Sequence, residues 1–153
     1  MSLHYQPQVG QILLCDFPTE FSAPEMCKRR PVVCVSPPNR HRYGLVTVVP
    51  LSTTPPAHND SYVVEVHLKE PISSRFSDLT CWAKCDMLYT FSFSRLSCPK
   101  EKTAEKGRQY NILILPPGTV CEILTGVIAG MGIFGSIKYD NGVYSVFDFR
   151  DML

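Results

Sequence analysis

The chain has no surplus of charge, no apolar run long enough to span a bilayer and no cysteine pattern that reads as a disulfide framework. Lys and Arg number 15 and Asp and Glu 14 in 153 residues, a formal net charge of +1. That balance excludes a globally basic nucleic-acid binder, so any such surface must be a local patch. The longest charge-free apolar stretch, Ile123–Phe134, is too short for a membrane helix, and Glu122 and Pro116-Pro117 bar its extension. Internal repeats and low-complexity segments are also lacking. What remains is enough chain for one domain, burying roughly 68–70% of its unfolded surface without a disulfide or metal.

The cysteines number 7, an odd count: Cys15, Cys27, Cys34, Cys81, Cys85, Cys98 and Cys121. Met1–Gln8 holds no apolar run and does not read as a secretion signal. Reduced thiols in the cytoplasm are therefore expected. Cys81 and Cys85 fall on one face of a strand about 13 Å apart, too far to share a metal. They read as small buried hydrophobes. His4, His41, His58 and His67 are scattered, and no metal site and no cofactor is expected.

Short apolar runs between turn signals dominate the rest. Ile12–Phe17, Pro31–Val35, Leu45–Leu51, Ser61–Leu68 and Thr80–Leu88 read as strands, the second with proline at its first position, where a missing N–H is tolerated. Ser97–Arg108, rich in Lys and Glu, reads as a solvated loop. A helix is expected from Pro117 toward Ala129, with Thr119 and Glu122 at capping-box spacing and Gly130 and Gly132 ending it. Ser136–Asp140 and Val143–Phe147 flank Asn141-Gly142, which favours the positive φ angles of a tight hairpin turn.

Candidate functional residues sit at strand ends. Arg30 follows a loop and precedes a buried strand, a permanently charged fork able to hold two phosphate oxygens. The plainer reading of Lys28-Arg29-Arg30 is a solvated charge run. Ser52-Thr53-Thr54 closes another strand; its hydroxyls suit a phosphate oxygen, or equally a simple turn. Arg40, Arg42 and Tyr43 combine charge with a ring, as single-strand binders do, although an exposed loop reads the same way.

Taken together, four segments resemble the MazF/PemK toxins. They are Gly10–Phe17, Arg30-Pro31-Val32-Val33-Cys34-Val35-Ser36, Val48-Val49-Pro50-Leu51-Ser52-Thr53-Thr54, and Trp82-Ala83-Lys84-Cys85-Asp86 followed by Ser94-Arg95-Leu96. The resemblance covers about residues 9–96, with 97–153 as an extension carrying the helix and hairpin. It implies a mainly β fold with minor α: a small curled antiparallel β-barrel of the CcdB/MazF/PemK type, with residues 1–153 as a single domain. It implies a homodimer that cuts single-stranded RNA sequence-selectively, without a metal, leaving a 2′,3′-cyclic phosphate. A protein antitoxin would block the RNA groove.

By the same resemblance Arg30 is catalytic, Ser52 assists, and Glu25 stands at the family's glutamate spacing. Lys28, Arg29, Thr53, Arg40 and Arg42 are the expected RNA contacts. The sequence departs from the family where the usual glycine-rich loop is replaced by Ser22-Ala23-Pro24-Glu25-Met26-Cys27, a stiffer segment. Ser52 replaces the commoner Thr, and Met87 and Tyr89 replace the usual Gln and a basic residue. Two non-enzymatic alternatives on the same fold are a CcdB-like protein acting on DNA gyrase and a module that binds only its partner.

Overall fold

The computed structural model describes residues 2–103 and 107–147. Strands β1 (Gln11–Asp16), β2 (Arg29–Cys34), β3 (Leu45–Ser52), β4 (Val63–His67), β5 (Thr80–Lys84), β6 (Tyr89–Ser92), β7 (Leu96–Ser97) and β10 (Leu113–Ile114) build one antiparallel sheet. Its order is β10-β1-β2-β3-β5-β4, with β6 also on β3 and β7 also on β1. Among the described residues the fold is mainly β with one α-helix, α1 (Pro117–Gly130), as expected. The sheet curls but is not closed into the expected barrel. Among the described residues no ladder joins the end strands β4 and β10, because each spends one edge on β5 or β1 and leaves the other free.

The central strands are apolar at nearly every position because both their faces are covered. Ile12 and Leu14 of β1, Val33 of β2, and Val49 and Leu51 of β3 enter one core with Val120, Ile123 and Val127 of α1. The alternate residues Leu13 and Cys15, Val32 and Cys34, and Val46 and Val48 enter a second core on the opposite face, with Phe17, Phe91 and Phe93.

Helix α1 lies against β4 and the turn that follows β5 through Gly126. A Cβ there would stand 2.8 Å from Cys85 Sγ and 3.1 Å from Val64 Cγ2, so only glycine allows this approach. The helix starts at Pro117, as expected. Thr119 is not its cap, however: Pro116 precedes the first turn with no side-chain bond, and Pro117, which has no N–H to satisfy, opens it. At the other end Gly132 (φ +76°) and Ile133 donate to Ala129 O at 3.0 Å and Ile128 O at 2.9 Å, closing the helix.

The expected solvated loop over Ser97–Arg108 is also corrected. Ser97 is buried in β7, and β8 (Lys100–Thr103) pairs with β9 (Gly107–Tyr110); residues 104–106 lie outside the described residues. A two-stranded ribbon satisfies its own backbone groups and needs little apolar signal. The tail hairpin forms as expected: β11 (Ser136–Asp140) pairs with β12 (Val143–Phe147) through Asn141 (φ 48°) and Gly142 (φ 82°). Among the described residues no helix is long and apolar enough to cross a membrane.

All the cysteines are free thiols, and Cys15, Cys34, Cys81, Cys85 and Cys98 are buried. Burial pushes the Cys15 and Cys85 thiols up to about 12, and Cys34 and Cys81 up to about 11.

Two outcomes are expected. First, the folded state holds these thiol protons more tightly than the unfolded chain, in which they leave near pH 9.0. Stability is therefore fully present below pH 9 and falls as pH rises toward 11–12. Denaturant titrations at pH 8 and pH 10.5 check this; equal stability at both contradicts it. Second, Gly126→Val lowers the unfolding free energy by about 1–3 kcal/mol through overpacking, and adding Cys85→Ala returns part of it.

Candidate active site

The second core is roofed over β1, β2, β3 and β6 by the loop that joins β1 to β2. That loop is pinned by aromatic contacts. Phe21 lies 6.4 Å from Phe17 and 5.8 Å from Tyr89, and Tyr89 stacks on Phe91 at 5.5 Å. Met26 N donates to the Tyr89 hydroxyl at 3.4 Å. Tyr89, where a basic residue was anticipated, thus anchors a loop without glycine. The same face is uncovered over β3, β5 and β4, and the candidate residues lie at the boundary.

Arg30 shares the face of Val32, and the β2–β3 ladder pairs Val32 with Pro50. Continued two residues, that register puts Arg30 across from Ser52. Ser52 pairs with Trp82, and Trp82 with Glu65. Arg30, Ser52, Trp82 and Glu65 thus form a row across the strands on one face. Arg30 is half-buried, with Nε donating to Cys27 O at 3.2 Å. That bond uses one of the five guanidinium donors. Ser52 is half-buried, and its Oγ accepts from Thr54 N at 3.2 Å.

The other expected site residues divide. Glu25 is exposed in the loop, its Oε2 accepting from Ser22 N at 2.9 Å, which folds the loop on itself. Lys28 (φ 69°) and Thr53 are exposed near the row. Arg29, one residue from Arg30, is on the opposite face. It pairs with Asp16 at 3.6 Å and donates to Ser97 Oγ at 3.2 Å, so its guanidinium ties β2 to β1 and β7. Arg40 and Arg42 form a single 3-10 turn before β3. They line an open hollow of about 560 Å³ with His41, Ser36, Thr47 and Thr90. From Leu45 to Ser52 is seven strand steps, roughly 23 Å, so this basic turn is at the far end of β3.

A second hollow, of about 300 Å³, gathers residues that the sequence did not bring together. Met26, His58, Asp60, Lys84, Asp86 and Met87 line it, where the β1–β2 and β3–β4 loops meet the β5–β6 turn. Asp60 holds the proton on Tyr62 through its charge and by accepting the phenol's hydrogen bond. The period-two spacing of Trp82, Lys84 and Asp86 was the available signal. Among the described residues, no group of three or more His, Cys, Asp or Glu is gathered as for a metal.

A curled antiparallel sheet with a helix on one face and a rim arginine beneath a loop on the other describes a toxin-like fold, and comparison bears this out. The family model of the PemK-like, MazF-like toxins of type II toxin-antitoxin systems matches residues 8–113, more than half of the chain. The chain belongs to that family.

Solved structures share its fold. MazF from Deinococcus radiodurans aligns with a TM-score of 0.59 at 16% identity, over 85% of this chain and 100% of its own. An endoribonuclease of a mycobacterial species, solved with its cognate antitoxin, aligns at 0.56 and 21% identity, over 84% and 98%. A MazF toxin of Mycobacterium tuberculosis aligns at 0.53 and 15% identity, over 81% and 98%. No significant match exists among curated protein sequences.

Because Phe21 holds the loop onto Tyr89 and Phe17, Phe21→Ala is expected to open the Pro18–Lys28 segment to limited proteolysis while the thermal unfolding midpoint moves by only a few degrees. Unchanged cleavage kinetics in that segment would show that the aromatic contacts do not hold it.

Proposed function

We propose that the chain is a sequence-selective endoribonuclease that cuts single-stranded RNA in the cytoplasm without a metal, acts as a homodimer and is restrained by a protein antitoxin. One observation carries this reading: the β2–β3 register that pairs Val32 with Pro50, which continued by two residues brings Arg30 and Ser52 to the same face at the edge of an open surface. The family and the endoribonuclease among the structural neighbours support it.

The chemistry follows from the residues. The 2′-hydroxyl oxygen of the substrate attacks the adjacent phosphorus, and the bond from phosphorus to the 5′-oxygen breaks. The products are a 2′,3′-cyclic phosphate and a 5′-hydroxyl. Charge builds on the non-bridging oxygens in the transition state, where the Arg30 guanidinium, which cannot readily lose its proton, stabilises it. Ser52 orients a phosphate oxygen. The Glu25 carboxylate, five residues before Arg30, serves as the base that takes the 2′-hydroxyl proton, and solvent water on the opposite side supplies the proton to the departing 5′-oxygen.

Incubating the purified protein with a long single-stranded RNA in the presence of a chelator, and mapping the cuts, tests the reading. Base-selective cutting is expected. Arg30→Ala should lose at least about 100-fold in rate, from the roughly 2.7–4 kcal/mol that one oxyanion donor supplies. Ser52→Ala should lose less, about 2- to 10-fold, as for one neutral hydrogen bond. Cutting that Arg30→Ala leaves intact overturns the assignment.

A further inference from the structure

The row that contains Arg30 and Ser52 has a third member with no role in the chemistry above. Trp82 is directly across from Ser52 on β5, and Glu65 is across from it on β4. Its neighbours along β5, Cys81 and Ala83, are buried in the first core, so the indole is on the other face of the sheet. There it joins neither apolar cluster: the second core, on its own face, ends at the loop-covered half of the sheet. Among the described residues no ring–ring or cation–π contact involves it. The indole is only partly exposed, yet it belongs to neither apolar cluster, so part of the ring is open on the face that carries Ser52.

Directly opposite residues of an antiparallel pair have Cβ atoms about 4.5–5.5 Å apart. The ring therefore stands within one side chain's reach of the Ser52 hydroxyl. Lys84, two residues along the same face, lines the 300 Å³ hollow beside it. An aromatic face next to a phosphate-holding pair, with a cation alongside, suits a single-stranded nucleic acid, whose bases stack regardless of identity. We infer that Trp82 is the stacking platform for a base of the bound RNA, on the nucleotide adjoining the phosphate held by Arg30 and Ser52. The inference rests on the reading of the site as an RNA-cleaving one. It makes Trp82 a substrate-binding residue rather than one that moves protons.

The chain has 1 Trp, so its indole emission, excited beyond the absorption of tyrosine, reports this position alone. The probe is a random pool of 2′-O-methyl RNA decamers, which binds but cannot be cut because the attacking hydroxyl is blocked. Titration is expected to quench and shift the emission in step with binding followed by anisotropy of a labelled pool. With cleavable RNA, Trp82→Ala should raise KM about 5- to 150-fold and change kcat little, while Trp82→Phe, which keeps a ring, should stay within about threefold of wild type.

Saturable binding with no change in emission overturns the inference, as does a Trp82→Ala protein with wild-type KM. Should Trp82→Ala not fold, the emission of the unaltered protein decides alone. An emission response from a protein that cuts no RNA overturns the proposed activity and leaves the stacking site standing. No binding by anisotropy overturns both.

Discussion

Burial of both faces of β1, β2 and β3 is the constraint on which the rest depends. Successive residues of these strands enter different cores, so a one-residue slip would exchange every occupant of the two interiors. The register is therefore held firmly. Because it is, residues at the ends of the same strands have their positions decided for them. Arg30 and Ser52 are polar continuations of the apolar series Val32–Cys34 and Val46–Pro50. They share a face for the same reason that Val32 and Pro50 do.

The candidate functional surface begins where one of the two cores loses its cover. The β1–β2 loop, clamped through Phe21, Met26 and Tyr89, closes the second core as far as Arg30, and beyond it the sheet is open. Stability and site are thus parts of one arrangement. Strand alternation also separates two adjacent arginines. Arg29 joins Asp16 and Ser97 on one side, while Arg30 sits beneath the loop on the other. A basic cluster that looks uniform in sequence becomes one structural cation and one candidate catalytic cation.

Much of the fold was legible from periodicity and punctuation. The runs around Ile12, Val33 and Val49, the Asn141-Gly142 hairpin and the helix from Pro117 form where expected, whereas the strand around Trp82, expected to reach Leu88, stops at Lys84 where the chain turns toward β6. What escaped had physical reasons. Thr119 has cap-and-glutamate spacing, but two prolines before it set the start of the helix one turn earlier. The ribbon of β8 and β9 has no apolar face to announce it, and its polar composition mimics a loop. Barrel closure depends on whether the first and last strands meet, which no local pattern encodes. Of the site, Arg30 and Ser52 could be picked out by motif. Trp82 was noticed only as part of the motif, and the hollow lined by His58, Lys84 and Asp86 draws on separate chain segments.

Most strands, their buried faces, the hairpin turn and the family are written in the residues themselves, because these follow from side-chain period, turn chemistry and short ordered motifs. Which polar residues share a surface emerges only once the chain has folded. Folding set Arg30, Ser52 and Trp82 in one row, turned Arg29 away, and carried Arg40 and Arg42 to the far end of β3. The reason is that proximity across a sheet depends on the register between strands distant in sequence. That register comes from burial of the whole core rather than from any residue at the site.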